Sequence, residues 1–154
     1  MRRVLSVLCL ALLTSPLLAQ GSKNVDEAWK RAFTAGDAAA VAALYAPDAT
    51  MYPPDEMNAK GRDAIKGSYE KFFSANTISD VRLDYDYSST SGNLSVASGR
   101  FSFTAHPKAG GAAQTMEGRF TSVTERKNGK WMYVSDHASM PMPPPPAAAP
   151  APKP

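Results

Sequence analysis

Few side chains in this sequence can move a proton near neutral pH, and their placement narrows what they can do. Asp136 and His137 are adjacent. Neighbours on an extended strand point to opposite faces, so the two cannot work as a face-to-face dyad. His137 reads as a packing or interface histidine, with a relay role open if its face of the strand turns inward. His106, followed by Pro107, reads as an exposed strand end. Asp48 follows a helix end and precedes Ala49-Thr50, which suits a carboxylate that holds turn N–H groups. Two distant histidines without paired carboxylates do not make a metal site. No G-x-S-x-G elbow, phosphate-cradling glycine loop or G-x-G-x-x-G follows a strand, which removes serine hydrolase, nucleotide and dinucleotide chemistry. No cofactor is expected.

The two ends of the chain bear on its compartment. Arg2-Arg3, the apolar run Val4 to Leu13 and the small-residue site at Leu17-Leu18-Ala19 predict a secretory signal over residues 1–20, cleaved near residue 19. The run is short for a bilayer span, and no later stretch comes close, so no membrane insertion is expected once the signal is gone. Cys9 is the only cysteine and lies in that signal; Ser6-Val7-Leu8 before it lacks the small residue of a lipid-modified site. The mature chain then has no thiol for catalysis or metal ligation, in keeping with a periplasmic or secreted protein. The formal net charge of +3 falls to +1 without Arg2 and Arg3. The remaining basic residues are scattered, which argues against a nucleic-acid or anionic-membrane partner. Residues 141–154 contain eight prolines among fourteen residues. This composition gives a polyproline-like disordered tail, a solvated terminus or a ligand for a proline-binding module. Residues 21–140 are left as one domain.

Within that domain the periodicity changes once. Asn24 with Glu27 has the spacing of a capping box, and Val25, Trp29 and Phe33 form an apolar stripe behind it. Gly36 is placed to end this helix and Asp37 to cap a second, whose Val41, Leu44 and Tyr45 face the core before Pro47 stops it. Met51-Tyr52-Pro53-Pro54 is an extended corner, and Asp55 to Lys60 a polar connector. A third helix starts near Gly61 and buries Ile65, Tyr69, Phe72 and Phe73. From Ile78 the period becomes two, giving about four strands: Ile78 to Tyr87, Leu94 to His106, Thr115 to Lys127 and Lys130 to Met140. They are joined at Ser91-Gly92-Asn93, a Gly/Ala-rich loop and Asn128-Gly129. Turn chemistry also accounts for the glycosylation-like Asn93-Leu94-Ser95. Helices followed by a strand meander make an α+β domain.

Three stretches, in order, carry a resemblance: AWKRAFTAGDAAAVAALYAPDATMYPP, KGRDAIKGSYEKFF and GRFTSVTERKNGKWMYVSDHAS. Together they resemble the SnoaL-like, ketosteroid-isomerase-homologue branch of the nuclear transport factor 2-like superfamily, over about Val25 to Met140. The resemblance implies a cone-shaped fold, with three N-terminal helices packed on a strongly curved antiparallel sheet around an apolar pocket. It also implies a small apolar or aromatic ligand and commonly a homodimer through the outer sheet face. Members include isomerases, polyketide cyclases, dehydratases and non-catalytic association modules, so the fold does not choose among them. Steroid isomerisation needs a carboxylate base, a tyrosine and a protonated aspartate. The matching positions here fall at Pro53, at Trp29 and near Ser122, so that activity is not expected.

The family's strand parity points Met132, Val134, Asp136 and Ala138 inward and Trp131, Tyr133, Ser135 and His137 outward. Asp136 then becomes a carboxylate in an apolar pocket, with a raised pKa and acid–base capacity. This resembles the late-strand acid of polyketide cyclases. It reads equally as a carboxylate satisfied by Arg100, Arg119 or a helix-side hydroxyl. Tyr52, at the cone mouth, is the expected donor beside it. The pocket candidates are Trp29, Met51, Tyr52, Tyr69, Ser122 and Val134, with His137 for the reversed parity. Phe72 and Phe73 read as core. The implied function is ligand binding with isomerase, cyclase or dehydratase-type proton transfer, or a non-catalytic homodimeric module.

Overall fold

Val25 and Phe33 are buried on one face of α1 (Gly21–Thr34), and Trp29 between them stacks on Phe33 at 4.6 Å. The computed structural model describes residues 21–141; the predicted signal with Cys9 and the tail from Met142 onward lie outside the described residues. Gly36 (φ 66°) closes α1 in the left-handed glycine termination. Its N–H reaches the Phe33 carbonyl and that of Asp37 reaches the Ala32 carbonyl, both at 3.0 Å. Asp37 caps α2 (Ala38–Ala43) by accepting the Ala40 N–H at 2.9 Å. The capping box expected at Asn24 does not form. The helix already runs from Gly21 through these residues, so Asn24 is an interior position, and Glu27 pairs with Lys30 at 2.9 Å instead.

The second helix stops at Ala43, ahead of the expected stop at Pro47. The Leu44 carbonyl accepts the Tyr133 N–H at 2.9 Å, and from Tyr45 the chain is β1 (Tyr45–Tyr52). Pairing with a distant strand wins over two more residues of helix, a tertiary override of local propensity. The polar connector contains β2 (Ala59–Lys60). Then α3 (Arg62–Ala75) follows Gly61, with Asp63 in its first turn; Ile65, Tyr69 and Phe73 are buried and Phe72 is half-buried. The meander is β3 (Asn76–Ser91), β4 (Leu94–Pro107), β5 (Gln114–Lys127) and β6 (Lys130–Ser139). Asn128 (φ 51°) and Gly129 (φ 78°) make the last turn as their types demand.

The sheet is mixed and six-stranded, in the order β2-β1-β6-β5-β4-β3, where an antiparallel sheet of about four strands was expected. The difference is β1, which lies parallel to β6 and adds β2 outside it. Register shifts between Ser79 and Arg82, Tyr85 and Tyr87, and Val123 and Thr124 bend the strands, because each adds a residue with no partner opposite. The helices close one face. There Phe33 is the centre of an aromatic cluster, with Phe72, Phe73 and Phe103 at 6.0, 5.3 and 5.1 Å. The other face is polar, with Arg82, Asp84, Arg100, Glu117, Arg119 and Thr121 exposed.

The bend also requires close backbone approach. A Cβ on Gly118 would lie 2.5 Å from the Phe101 ring, whereas one on the exposed α3 residue Gly67 would meet nothing within 4 Å. Gly118→Ala is therefore expected to destabilise the fold by about 1–3 kcal/mol through overpacking. Gly67→Ala should stabilise it by about 0.5–1 kcal/mol, since the unfolded chain loses freedom at no steric cost. Denaturant midpoints of the two variants check both signs.

Candidate functional site

Between α1, α3, the corner after β1 and the covered face of the sheet lies a cavity of about 520 Å³. Its walls are largely aromatic, from Trp29 and Phe33 of α1, Tyr69 and Phe72 of α3, and Phe101, Phe103 and Phe120 of the sheet. Four carboxylates line it, Asp136 of β6 and Asp26 of α1 inside and Asp55 and Glu56 of the connector after β1.

Asp136 is positioned by three strands. It stands opposite Met51 of β1 and opposite Ser122 of β5, and all three line the cavity. Its Oδ2 accepts the Tyr45 hydroxyl at 2.6 Å. No side chain among the described residues donates to Oδ1. Behind this bond the donors run one way. Trp29 Nε1, which can only donate, gives its hydrogen to the Tyr69 hydroxyl at 3.1 Å. The Tyr69 and Tyr45 hydroxyls are 3.2 Å apart. Since Tyr45 spends its proton on Asp136, Tyr69 is free to donate to Tyr45 or to a ligand oxygen. Tyr45 is fully buried, and its carbonyl accepts Arg62 Nε at 3.1 Å and Nη2 at 2.7 Å, which fixes the backbone from which the phenol projects.

Burial pushes the Asp136 carboxyl up to about 6, and the charge of Asp26 adds to the rise; the Tyr45 hydrogen bond and nearby His137 oppose it. Among the described residues no arginine pairs with Asp136. Arg100 is exposed and lies 3.6 Å from Asp86 on the outer face. Asp26 is buried and accepts the Tyr133 hydroxyl through Oδ1 and the Tyr85 hydroxyl, at 2.9 Å, through Oδ2. Burial raises its pKa as well, against the two tyrosine hydrogen bonds. Both acids line one cavity, and the Asp26 charge makes Asp136 harder to ionise. Asp136 keeps an oxygen for a ligand, whereas both oxygens of Asp26 are occupied.

Of the pocket residues expected from sequence, Trp29, Met51, Tyr69, Ser122 and Asp136 come together around the cavity. Val134 and His137 do not line it. At Val134 the β5–β6 register skips a residue: Thr124 faces Tyr133 and Val123 faces Ser135. The bulge reverses the parity before it, so Tyr133, expected outward, is buried toward the cavity while Asp136 and Ala138 keep the expected face. His137 is exposed. Tyr52 borders the cavity, but its partner across β1–β6 is His137, its ring packs edge-on to that imidazole at 6.3 Å, and it is 44% exposed. The hydroxyl beside Asp136 is that of Tyr45, not of Tyr52. Asp48 is exposed, 3.7 Å from Lys127, and His106 is an exposed strand end with its Nε2 3.0 Å from the Ser79 hydroxyl.

Sequence reasoning missed Tyr45, Asp26 and Tyr133 as site residues. A signal existed for Asp26: it shares a helix face with Trp29 and Phe33, at i+3 and i+7, so a carboxylate sits within the apolar stripe. Among the described residues no group of histidine, cysteine and carboxylate side chains could hold a metal ion, and no helix is long and apolar enough to cross a membrane.

Comparison with known proteins fits this geometry. The chain aligns at TM-score 0.66 and 26% identity, over 79% of its length and 86% of the other, with a proposed calcium/calmodulin dependent protein kinase II association domain from Xanthomonas campestris. A ketosteroid isomerase-like protein from Erwinia carotovora atroseptica aligns at TM-score 0.73 and 21% identity, over 84% of this chain and 99% of that one. A proposed dehydratase of the NTF2-like family from Streptomyces avermitilis aligns at TM-score 0.73 and 18% identity, over 84% and 100%. These similarities at low identity show the shared fold. No curated protein matches the chain. The model of the SnoaL-like domain matches residues 27–134, the helices, the corner and the sheet up to the bulge beside Asp136, and the chain therefore belongs to the SnoaL-like domain family.

Proposed function

We propose that this domain binds a small, mostly apolar molecule in its cavity and that Asp136 moves a proton on it, in a cofactor-free reaction of the isomerase, cyclase or dehydratase type. The observation that carries the reading is the Asp136 carboxyl itself. One oxygen is held by Tyr45 at 2.6 Å, the other opens on an aromatic-walled cavity, and its pKa is near 6. A general base works best when its pKa lies near the working pH. Oδ1 takes a proton from a carbon next to a carbonyl; the C–H electron pair moves toward the carbonyl oxygen, and Asp136 returns the proton to the same or a neighbouring carbon. Tyr69, which lines the cavity and already accepts the Trp29 N–H, is the donor placed to meet the developing oxygen charge. The Tyr45–Tyr69–Trp29 chain ends in an indole, so it stabilises the carboxylate and does not carry protons away.

We place the domain outside the cytoplasm, in the periplasm or secreted, on the strength of the signal-like residues 1–20. A non-catalytic homodimer remains the other class of function for this fold. A second copy docking on the outer sheet would meet charges and hydroxyls there, such as Arg82, Asp84, Arg100 and Thr121, where such a module calls for an apolar patch.

The test is hydrogen–deuterium exchange at the acidic carbon of 2-tetralone, a ketone of apolar bulk suited to the cavity, followed by NMR. The protein should accelerate exchange, with the rate falling as pH drops through about 6 while Asp136 gains its proton. Asp136→Asn should lose at least about 100-fold. Equal exchange by the variant sinks the reading. Tyr45→Phe removes a hydrogen bond that favours the ionised form, so the acid limb of its profile should move to higher pH.

The same carboxyl makes a stability prediction. Its folded pKa lies above the ordinary 3.8, so its contribution is fully present below about pH 4 and is lost as pH rises through about 6. At neutral pH the ionised group costs the fold up to roughly 3 kcal/mol. Asp136→Asn should therefore melt higher than the parent at pH 7 and show a flatter dependence between about pH 4 and 6.

A further inference from the structure

The cavity's charge contrasts with that of the chain. On a sequence of formal net charge +3, the residues lining it include four carboxylates, Asp26, Asp55, Glu56 and Asp136, and one basic side chain, Lys71. Lys71 is at the rim, 74% exposed, and already paired with Glu56, so it neutralises nothing deeper in. The two inner carboxylates face the aromatic walls without a cation. An independent polar group sits beside them. Ser122 is 4% exposed, lines the cavity opposite Asp136 in the β5–β6 register, and its hydroxyl makes no hydrogen bond among the described residues. That hydroxyl can donate to or accept from whatever enters the cavity.

We infer that the ligand of this site is an organic cation, an apolar ring system bearing an ammonium or iminium nitrogen that lies among the aromatic walls between the two carboxylates, with the Ser122 hydroxyl as an acceptor for its N–H. This rests on the cavity being the ligand site, as proposed above, and names the class of molecule it takes. Ring faces such as those of Trp29 and Tyr69 attract a positive charge, more strongly where water is excluded. A neutral ligand would leave two carboxylates uncompensated in a poorly hydrated space, and an anionic one would add a third negative charge. A cation relieves what raises both pKa values, so its binding favours the ionised form of Asp136 and releases a proton when the pH is near 6. A cationic nitrogen beside the reacting carbon also makes that carbon more acidic, so the charge that binds the molecule also eases proton removal by Asp136.

Three probes with one ring and different heads decide the matter: naphthalen-2-ylmethylamine, naphthalen-2-ylmethanol and naphthalene-2-carboxylate, titrated calorimetrically into the protein at about pH 7.5 and pH 5. The amine should bind at least about tenfold tighter than the alcohol at the higher pH, and the carboxylate should not bind. The amine's advantage should shrink at the lower pH as the carboxyls protonate, while the alcohol's affinity stays constant. Near pH 6, titrations in buffers of different ionisation enthalpy should show net proton release with the amine alone. Asp136→Asn, whose amide oxygen can still accept from Tyr45, should bring the amine's affinity close to the alcohol's. Ser122→Ala should weaken the amine more than the alcohol. Binding of the alcohol as tight as that of the amine, or no binding of the amine at about 1 mM, overturns the inference. The exchange assay on the neutral ketone then stands by itself, since it tests Asp136 as a base whatever charge the ligand carries.

Discussion

The parallel pairing of β1 with β6 is the constraint on which the site depends. It sets Met51 opposite Asp136 and Tyr45 opposite Tyr133. From that position the Tyr45 phenol reaches under Asp136 at 2.6 Å. The pairing is irregular: between Tyr45 and Thr50 the strand carries extra residues against β6, and the excess bulges outward around exposed Pro47 and Asp48. Arg62 at the start of α3 holds the Tyr45 carbonyl, and the Gly61 N–H holds that of Ala49 at 2.8 Å. Third helix, first strand and last strand are thus tied at one point, with the acid just beyond it.

A carboxylate placed this way is costly to the fold and useful to the site for one reason. Burial leaves the charge poorly solvated, and the Tyr45 hydroxyl is its side-chain hydrogen-bond partner among the described residues. A guanidinium in place of Tyr45 would hold the acid ionised far below neutrality and make it inert as a base. A phenol stabilises the anion only partly, so the group can both take and give up a proton. Asp26 shows the alternative in the same cavity. A tyrosine hydroxyl donates to each of its two oxygens, whereas Asp136 takes one such bond, from Tyr45. It acts on the site through its charge and by holding Tyr133, which lines the cavity.

Much of this was legible in the sequence, and the parts that were not share a cause. The helices, their ends at Gly36 and Gly61 and the strand meander follow from local chemistry: left-handed glycines, a capping aspartate, apolar periods of 3.6 and 2. Asp136 and Ser122 could be placed because they lie on the side of the bulge where strand parity runs unbroken. Val134 and Tyr133 were misplaced because a single unpaired residue shifts parity, and nothing local marks it. Tyr52 was taken for the donor and Tyr45 for a helix residue because β1 is held by a strand some ninety residues away. Alternation along β1 then decides the matter: Met51 stands with Asp136, and Tyr52, at the cavity's border, stands with His137.

The same long-range pairing sets the surroundings of the residues that stand where the resemblance expects the isomerase groups. The resemblance puts a proline at the base position, a tryptophan at one oxyanion donor and Ser122 near the other, and none of these alone suggests chemistry. In the folded protein they are not idle. Trp29 donates to Tyr69 and orients the one hydroxyl in the chain with a proton to spare. Ser122 stands beside Asp136 with its hydroxyl unspent, and Pro53 helps turn the chain across the cavity mouth. The acid has moved from the corner to the last strand. There it has the Tyr45 phenol beside it and a second acid in the same cavity, and both arise from packing of elements distant in sequence. A site built this way keeps the scaffold's cavity while replacing every group that would have identified its chemistry by position. Its electrostatic character, two carboxylates without a cation, has to be read from the fold.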